Sequence, residues 1–154
     1  MASIPNTTTA SARERLLAGL PVDERRLRAG GVETAVLEGG EGPPIVLLHG
    51  PGEFAAKWMR VIPRLVEGHR VIVPDLPAHG ASAVPEGALD AELASAWLGD
   101  LIAATCSQRP ALVGHVLGGA IAARFALARG AALDRLVLVD TLGLARFGPR
   151  RASD

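Results

Sequence analysis

Cysteine is almost missing from this 154-residue chain, and aromatic side chains are scarce. The one thiol, Cys106, excludes an intrachain disulfide and any cysteine cluster for a metal. Alone on a helix, it reads as a small buried or half-buried side chain. There is no Tyr, with two Trp and three Phe, so aliphatic residues and Ala must fill the core. Excess charge is also absent: sixteen basic residues balance sixteen acidic ones. Nothing in that balance points to a nucleic-acid or acidic-membrane partner, which would want a basic excess on one face. It also gives little electrostatic protection against self-association. Lys57 is the sole Lys, so the basic side is nearly all Arg. No apolar run approaches the ~20 residues of a membrane span. The best candidate, residues 111–123, is interrupted by His115 and three glycines. Residues 1–12 lack the basic-then-apolar order of a signal peptide. The expectation is a cytoplasmic protein.

What is present suits one globular domain. Hydrophobic residues make up 49%, and 18 Gly and 11 Pro imply many tight turns. Residues 1–11 read as a disordered tail, 12–144 as the domain and 145–154 as a frayed end. Residues 13–20 suit a short helix stopped by Pro21. Residues 24–29 and 32–38 flank Gly30-Gly31, a hairpin signal. Residues 45–48 (Ile-Val-Leu-Leu), 70–73, 111–113 and 135–139 are apolar runs of the kind buried in parallel sheets. Between them lie helical patterns. Residues 53–67 place Phe54, Trp58, Ile62 and Val66 on one stripe, with Pro63 kinking it or beginning a second turn. Residues 91–106 follow the potential cap Asp90, and residues 117–129 end at Gly130. The alternation predicts an α/β fold: a mostly parallel sheet with helices on both faces and an N-terminal β-hairpin. Segments following the strands should gather on one rim, where such sheets bind ligands.

Three of those segments carry motifs. Gly114-His115-Val116-Leu117-Gly118-Gly119 follows a strand and opens a helix, the setting of a Gly-x-Ser-x-Gly nucleophile elbow. Leu48-His49-Gly50-Pro51-Gly52-Glu53 and Asp75-Leu76-Pro77-Ala78-His79-Gly80-Ala81-Ser82 follow two other strands. In this order the three resemble the elbow, the oxyanion loop and the fourth-strand loop of the α/β-hydrolase family, over about residues 24–144. No Gly-x-Gly-x-x-Gly follows a strand, so a dinucleotide site is not expected, and neither is any other cofactor or a metal.

The resemblance implies a Ser nucleophile, a His base and an orienting acid. This chain has Val116 at the nucleophile position, with no heteroatom to attack a carbonyl. The run at residues 135–139 matches the sixth of the family's eight strands. The segment bearing the catalytic His and the inserted cap is therefore expected to be absent, as in a truncated fold. Asp140 stands where some branches of the family place the acid. The resemblance puts one oxyanion donor at the Leu117 N–H. The other usual donor position is Pro51, which has no N–H. Gly52 would substitute only if the loop shifted by one residue. His115 should point away from the nucleophile position and pack beside the elbow. His49 should hydrogen-bond within its loop, and Asp75 should tie its turn to backbone N–H groups. His79 reads as a structural or solvent-facing loop residue, and His69 lies on the wrong rim. An elbow drives its central residue toward positive φ, at a cost of about 1–3 kcal/mol for a β-branched side chain. Either the elbow relaxes, or Gly114, Gly118 and the sheet hold it strained.

Two functions follow. One is a non-catalytic hydrolase-like protein, a pseudoenzyme or truncated product, binding a small acyl or apolar ligand. The other is an inactivated half of a serine hydrolase acting on an ester, thioester, amide or C–C bond beside a carbonyl, requiring Val116→Ser and later strands. The run at 135–139, with one charge at its start, would lack a neighbour. It is expected to pair with a second copy or another chain.

Overall fold

The computed structural model describes residues 11–143. The expected tail at 1–10 and the expected frayed end at 145–154 lie outside the described residues. Helix α1 (Ala12–Leu17) opens with a capping box, in which Ser11 Oγ accepts from the Glu14 N–H and the Glu14 carboxylate accepts from the Ser11 N–H. Ser11, read as tail, is therefore the helix cap. Strands β1 (Asp23–Ala29) and β2 (Val32–Gly39) form the hairpin around Gly30 and Gly31, both at positive φ. The order continues β3 (Pro44–Leu48), α2 (Ile62–Leu65), β4 (Arg70–Pro74), α3 (Ala91–Thr105), β5 (Ala111–His115), α4 (Leu117–Arg129) and β6 (Arg135–Val139).

These strands make one six-stranded sheet, ordered β1-β2-β4-β3-β5-β6. The hairpin joins it antiparallel through β2 and β4, while β4, β3, β5 and β6 run parallel. Alternation along each strand divides the core. Val46, Leu48, Ile72 and Leu112 face Trp97, Leu98, Leu101, Ile121 and Phe125 of α3 and α4. Ile45, Leu47, Val71 and Val73 face the other way, toward Ala55, Ile62, Leu17 and Leu20. Buried Trp97 satisfies its indole N–H on Thr34 Oγ1 at 3.0 Å.

Two expectations need correction. Residues 53–67 do not form one helix. A 3-10 turn at Ala55–Trp58 is followed by the separate α2, with Pro63 in its first turn. Proline lacks the N–H a continuous helix needs but fits an N-terminus. Nor is β6 a fully buried strand. Among the described residues it pairs only with β5, and Leu136, Val137 and Val139 are 37%, 44% and 38% exposed. Among the described residues no strand lies along its other edge.

Candidate functional site

The four parallel strands deliver their following segments to one rim. There the Gly118 N–H donates to the His49 carbonyl at 3.1 Å, and the Ala55 N–H donates to Asp75 Oδ1 at 2.7 Å. The elbow is kept. Val116 caps α4 at φ 51°, ψ −106°, so the strained form is the one present. Glycines make this possible. A Cβ on Gly114 would stand 2.4 Å from the Gly118 carbonyl oxygen, and one on Gly118 would stand 2.6 Å from those of Leu48 and His49. The Val116 N–H donates to the Val139 carbonyl at 3.0 Å, and its own carbonyl accepts from the Ala120 N–H at 3.0 Å. The Leu117 N–H enters none of these bonds, as expected for the first turn of a helix.

The His49 loop does not shift in the way that would bring Gly52 to the elbow. Gly52 is exposed at φ 71° with open space beside its Cα, whereas a Cβ on Gly50 would lie 3.4 Å from Val116 Cβ. The Gly50 N–H is already engaged by Glu53 Oε2 at 2.8 Å. Glu53 is the residue that the motifs alone did not single out. Its Oε1 takes Lys57 Nζ at 2.7 Å, and its Oε2 lies 3.3 Å from His115 Nδ1. Burial alone would raise the Glu53 carboxyl, but Lys57, the Gly50 N–H and His115 hold it below the ordinary carboxylate value. An ionised carboxylate only accepts, so Nδ1 of His115 carries the hydrogen between them. His115 thus packs against the His49 loop beside the elbow, its Nδ1 and Val116 Cβ both lying close to Gly50.

His49 is fully buried and bonded twice. The Leu76 N–H donates to its Nε2 at 3.0 Å, which leaves Nδ1 to donate to the Gly50 carbonyl at 2.8 Å. The ring is therefore neutral, and burial pushes its pKa down. One of these bonds stays within its loop, and the other crosses to the β4 loop. Asp75 accepts the Ala55 and Ala81 N–H groups and meets Arg13 Nη1 at 2.8 Å. Gly80 packs so close that a Cβ there would sit 2.2 Å from Asp75 Oδ2. His79 lies in this loop with Nδ1 2.9 Å from the Pro77 carbonyl oxygen. Asp140 is exposed at φ 47° at the end of β6, on the same rim. Cys106 is half-buried as the C-cap of α3, and burial raises its thiol. His69 precedes β4 at the opposite rim. No group of three metal-ligating side chains occurs among the described residues.

A strand-elbow-helix turn on a mixed α/β sheet, flanked by a His-Gly loop and an Asp-x-Pro loop, defines a hydrolase-type scaffold. A family model described as alpha/beta hydrolase fold matches residues 43–151, and the chain belongs to that family. Over 125 residues it is 35% identical to the 2-hydroxy-6-oxo-6-(2'-aminophenyl)hexa-2,4-dienoic acid hydrolase of Metapseudomonas resinovorans, covering 79% of this chain and 43% of that protein. Over 100 residues it is 37% identical to the pimeloyl-[acyl-carrier protein] methyl ester esterase of Aeromonas hydrophila, covering 65% of this chain and 38% of the esterase. Its fold superposes on the crystal structure of a bacterial membrane phospholipase A with TM-score 0.80 and 29% identity, covering 88% of this chain and 45% of that one. The chain thus spans less than half the length of these relatives. No helix among the described residues is long and apolar enough to cross a membrane.

Proposed function

We propose that this chain is a non-catalytic member of its family, a cytoplasmic pseudoenzyme that holds a small acyl or apolar ligand beside an intact elbow. The observation that carries this reading is Val116 at the elbow's centre, at φ 51°. The turn that elsewhere lifts a hydroxyl here lifts two methyl groups, which have no lone pair to offer a carbonyl. The Leu117 N–H supports a ligand's carbonyl or carboxylate oxygen. Neither neighbouring position in the His49 loop offers a second donor, because Pro51 has no N–H and the Gly50 N–H is taken by Glu53. The test is a nitrophenyl-ester assay on the unaltered chain. The reading expects no turnover above buffer, and turnover would end it.

The retained strain favours a second reading, since a relaxed turn would be cheaper for a protein that never used the elbow. On this reading the chain is an inactivated portion of a hydrolase acting on an ester, thioester, amide or C–C bond beside a carbonyl. Turnover by Val116→Ser combined with a chain supplying the later strands of the family fold would favour it.

The open edge of β6 supports association, with a second copy pairing antiparallel about a two-fold axis or with another chain adding a strand. Light scattering at high concentration reads this directly, and a monomer throughout would reject it.

A further inference from the structure

A cavity of about 170 Å³ lies between the N-terminal ends of α3 and α4, beside the elbow and away from the His49 and Asp75 loops. Ala94, Ile121 and Phe125, exposed at 6%, 7% and 2%, form its floor, with Leu89 and Leu117 beside them. An aliphatic and aromatic hollow of about 150 Å³ stays dry and accepts a benzene-sized molecule. The volume therefore suits a six-carbon chain or ring.

The polar groups at this cavity are Asp90, Ser95 and Arg124. Asp90 is committed to the helix, its Oδ1 accepting the Glu92 and Leu93 N–H groups as the α3 N-cap. Arg124 is exposed and has no hydrogen bond or ion pair to any described residue. A guanidinium keeps its charge at any physiological pH and fits a carboxylate with two parallel bonds. The same cavity touches the elbow, because Leu117 lines it and also supplies the first N–H of the helix that follows the elbow.

We propose that this cavity binds a small amphipathic acid, with an apolar part of about six carbons inside and its carboxylate on Arg124. The inference rests on the non-catalytic reading above in taking the ligand to be held and not consumed. Asp90 at the same mouth sets the charge limit: a monoanion is accepted and a dianion is disfavoured.

Hexanoate titrated into 15N-labelled protein, with hexan-1-ol as the neutral control, tests this. Saturable amide shifts are expected at Ala94, Leu117, Ile121 and Phe125. Hexanoate should bind about tenfold more tightly than the alcohol, the worth of one charge-assisted contact. Arg124→Gln should erase that preference and leave hexanol binding as it was. Ala120→Leu, which fills the cavity from a half-buried position, should weaken both. Shifts confined to residues 50–57, equal affinities for the two probes, or no binding to folded protein at millimolar hexanoate would each overturn the proposal. Ester turnover by the unaltered chain would overturn the non-catalytic reading while leaving these shifts in place, so the two fail separately.

Discussion

His115 Nδ1 and Glu53 Oε2 face each other at 3.3 Å across the rim, joining the elbow to the His49 loop. The same carboxylate oxygen accepts the Gly50 N–H, and its partner oxygen holds Lys57. Glu53 therefore fixes where the loop lies against Val116. Its carboxyl is held below the ordinary value of 4.5, so the folded chain binds fewer protons there than the unfolded chain. That stability is present above about pH 4.5 and is lost as pH falls through the lowered folded value. Thermal unfolding at pH 3–5 should show Glu53→Gln less sensitive to acid than the unaltered chain. Identical slopes would show that the carboxylate carries no such role.

His49 acts in a higher window. Burial lowers its pKa from the ordinary 6.5, so protons bind the unfolded chain first. Stability should fall as pH drops from 6.5 toward the lowered value. His49→Gln keeps an acceptor for the Leu76 N–H and a donor for the Gly50 carbonyl, and should flatten the melting-temperature profile below pH 6.5. A profile with the same steepness would contradict the assignment of a neutral ring.

Backbone strain at Val116 has its own signature. At ordinary dihedrals Ala is more stable than Gly by about 0.4–1 kcal/mol, through the unfolded chain. At φ 51°, ψ −106° the order should reverse. Only Gly escapes a clash that costs about 1–3 kcal/mol, so Val116→Gly should unfold at higher denaturant than Val116→Ala. Finding Ala the more stable would mean that the elbow relaxes.

Arg13 ties α1 to the rim. It meets buried Asp75 at 2.8 Å, holds Glu24 and lies 5.2 Å over the Phe54 ring. Among the described residues, Arg13→Ala leaves the Asp75 charge with its two backbone donors, the Ala55 and Ala81 N–H groups. Because the Arg13 side chain is 21% exposed, the loss should sit at the low end of the about 3–5 kcal/mol for breaking a buried pair. Chemical denaturation measures it, and a loss below about 1 kcal/mol would place this pair with ordinary surface bridges.

The parallel strands were legible because each is a short apolar run bounded by Pro, Gly, His or Asp, and the elbow because its glycines follow one of them. The bounds of α4 and β6 at Leu117–Arg129 and Arg135–Val139 match those read from the sequence. The helical stripe at residues 53–67 misled, because periodicity counts apolar positions and ignores the N–H that Pro63 lacks. The role of Glu53 was half visible. Its spacing to Lys57 is a helical ion-pair spacing, but His115 is 62 residues away and only the parallel sheet brings them together. The Arg13–Asp75 pair left no local signal either. The exposure of β6 depends on what lies beside the strand, which an apolar run does not record.

With Val116 in place of a nucleophile, the proposed pseudoenzyme forms no covalent bond between a rim side chain and an acyl group. Intact-mass analysis after incubation with a fluorophosphonate tests this. An unmodified mass is expected for the unaltered chain under conditions that label an active serine hydrolase completely. A one-to-one adduct mapped to a rim hydroxyl such as Ser82 or Thr141, accompanied by ester turnover, would contradict it.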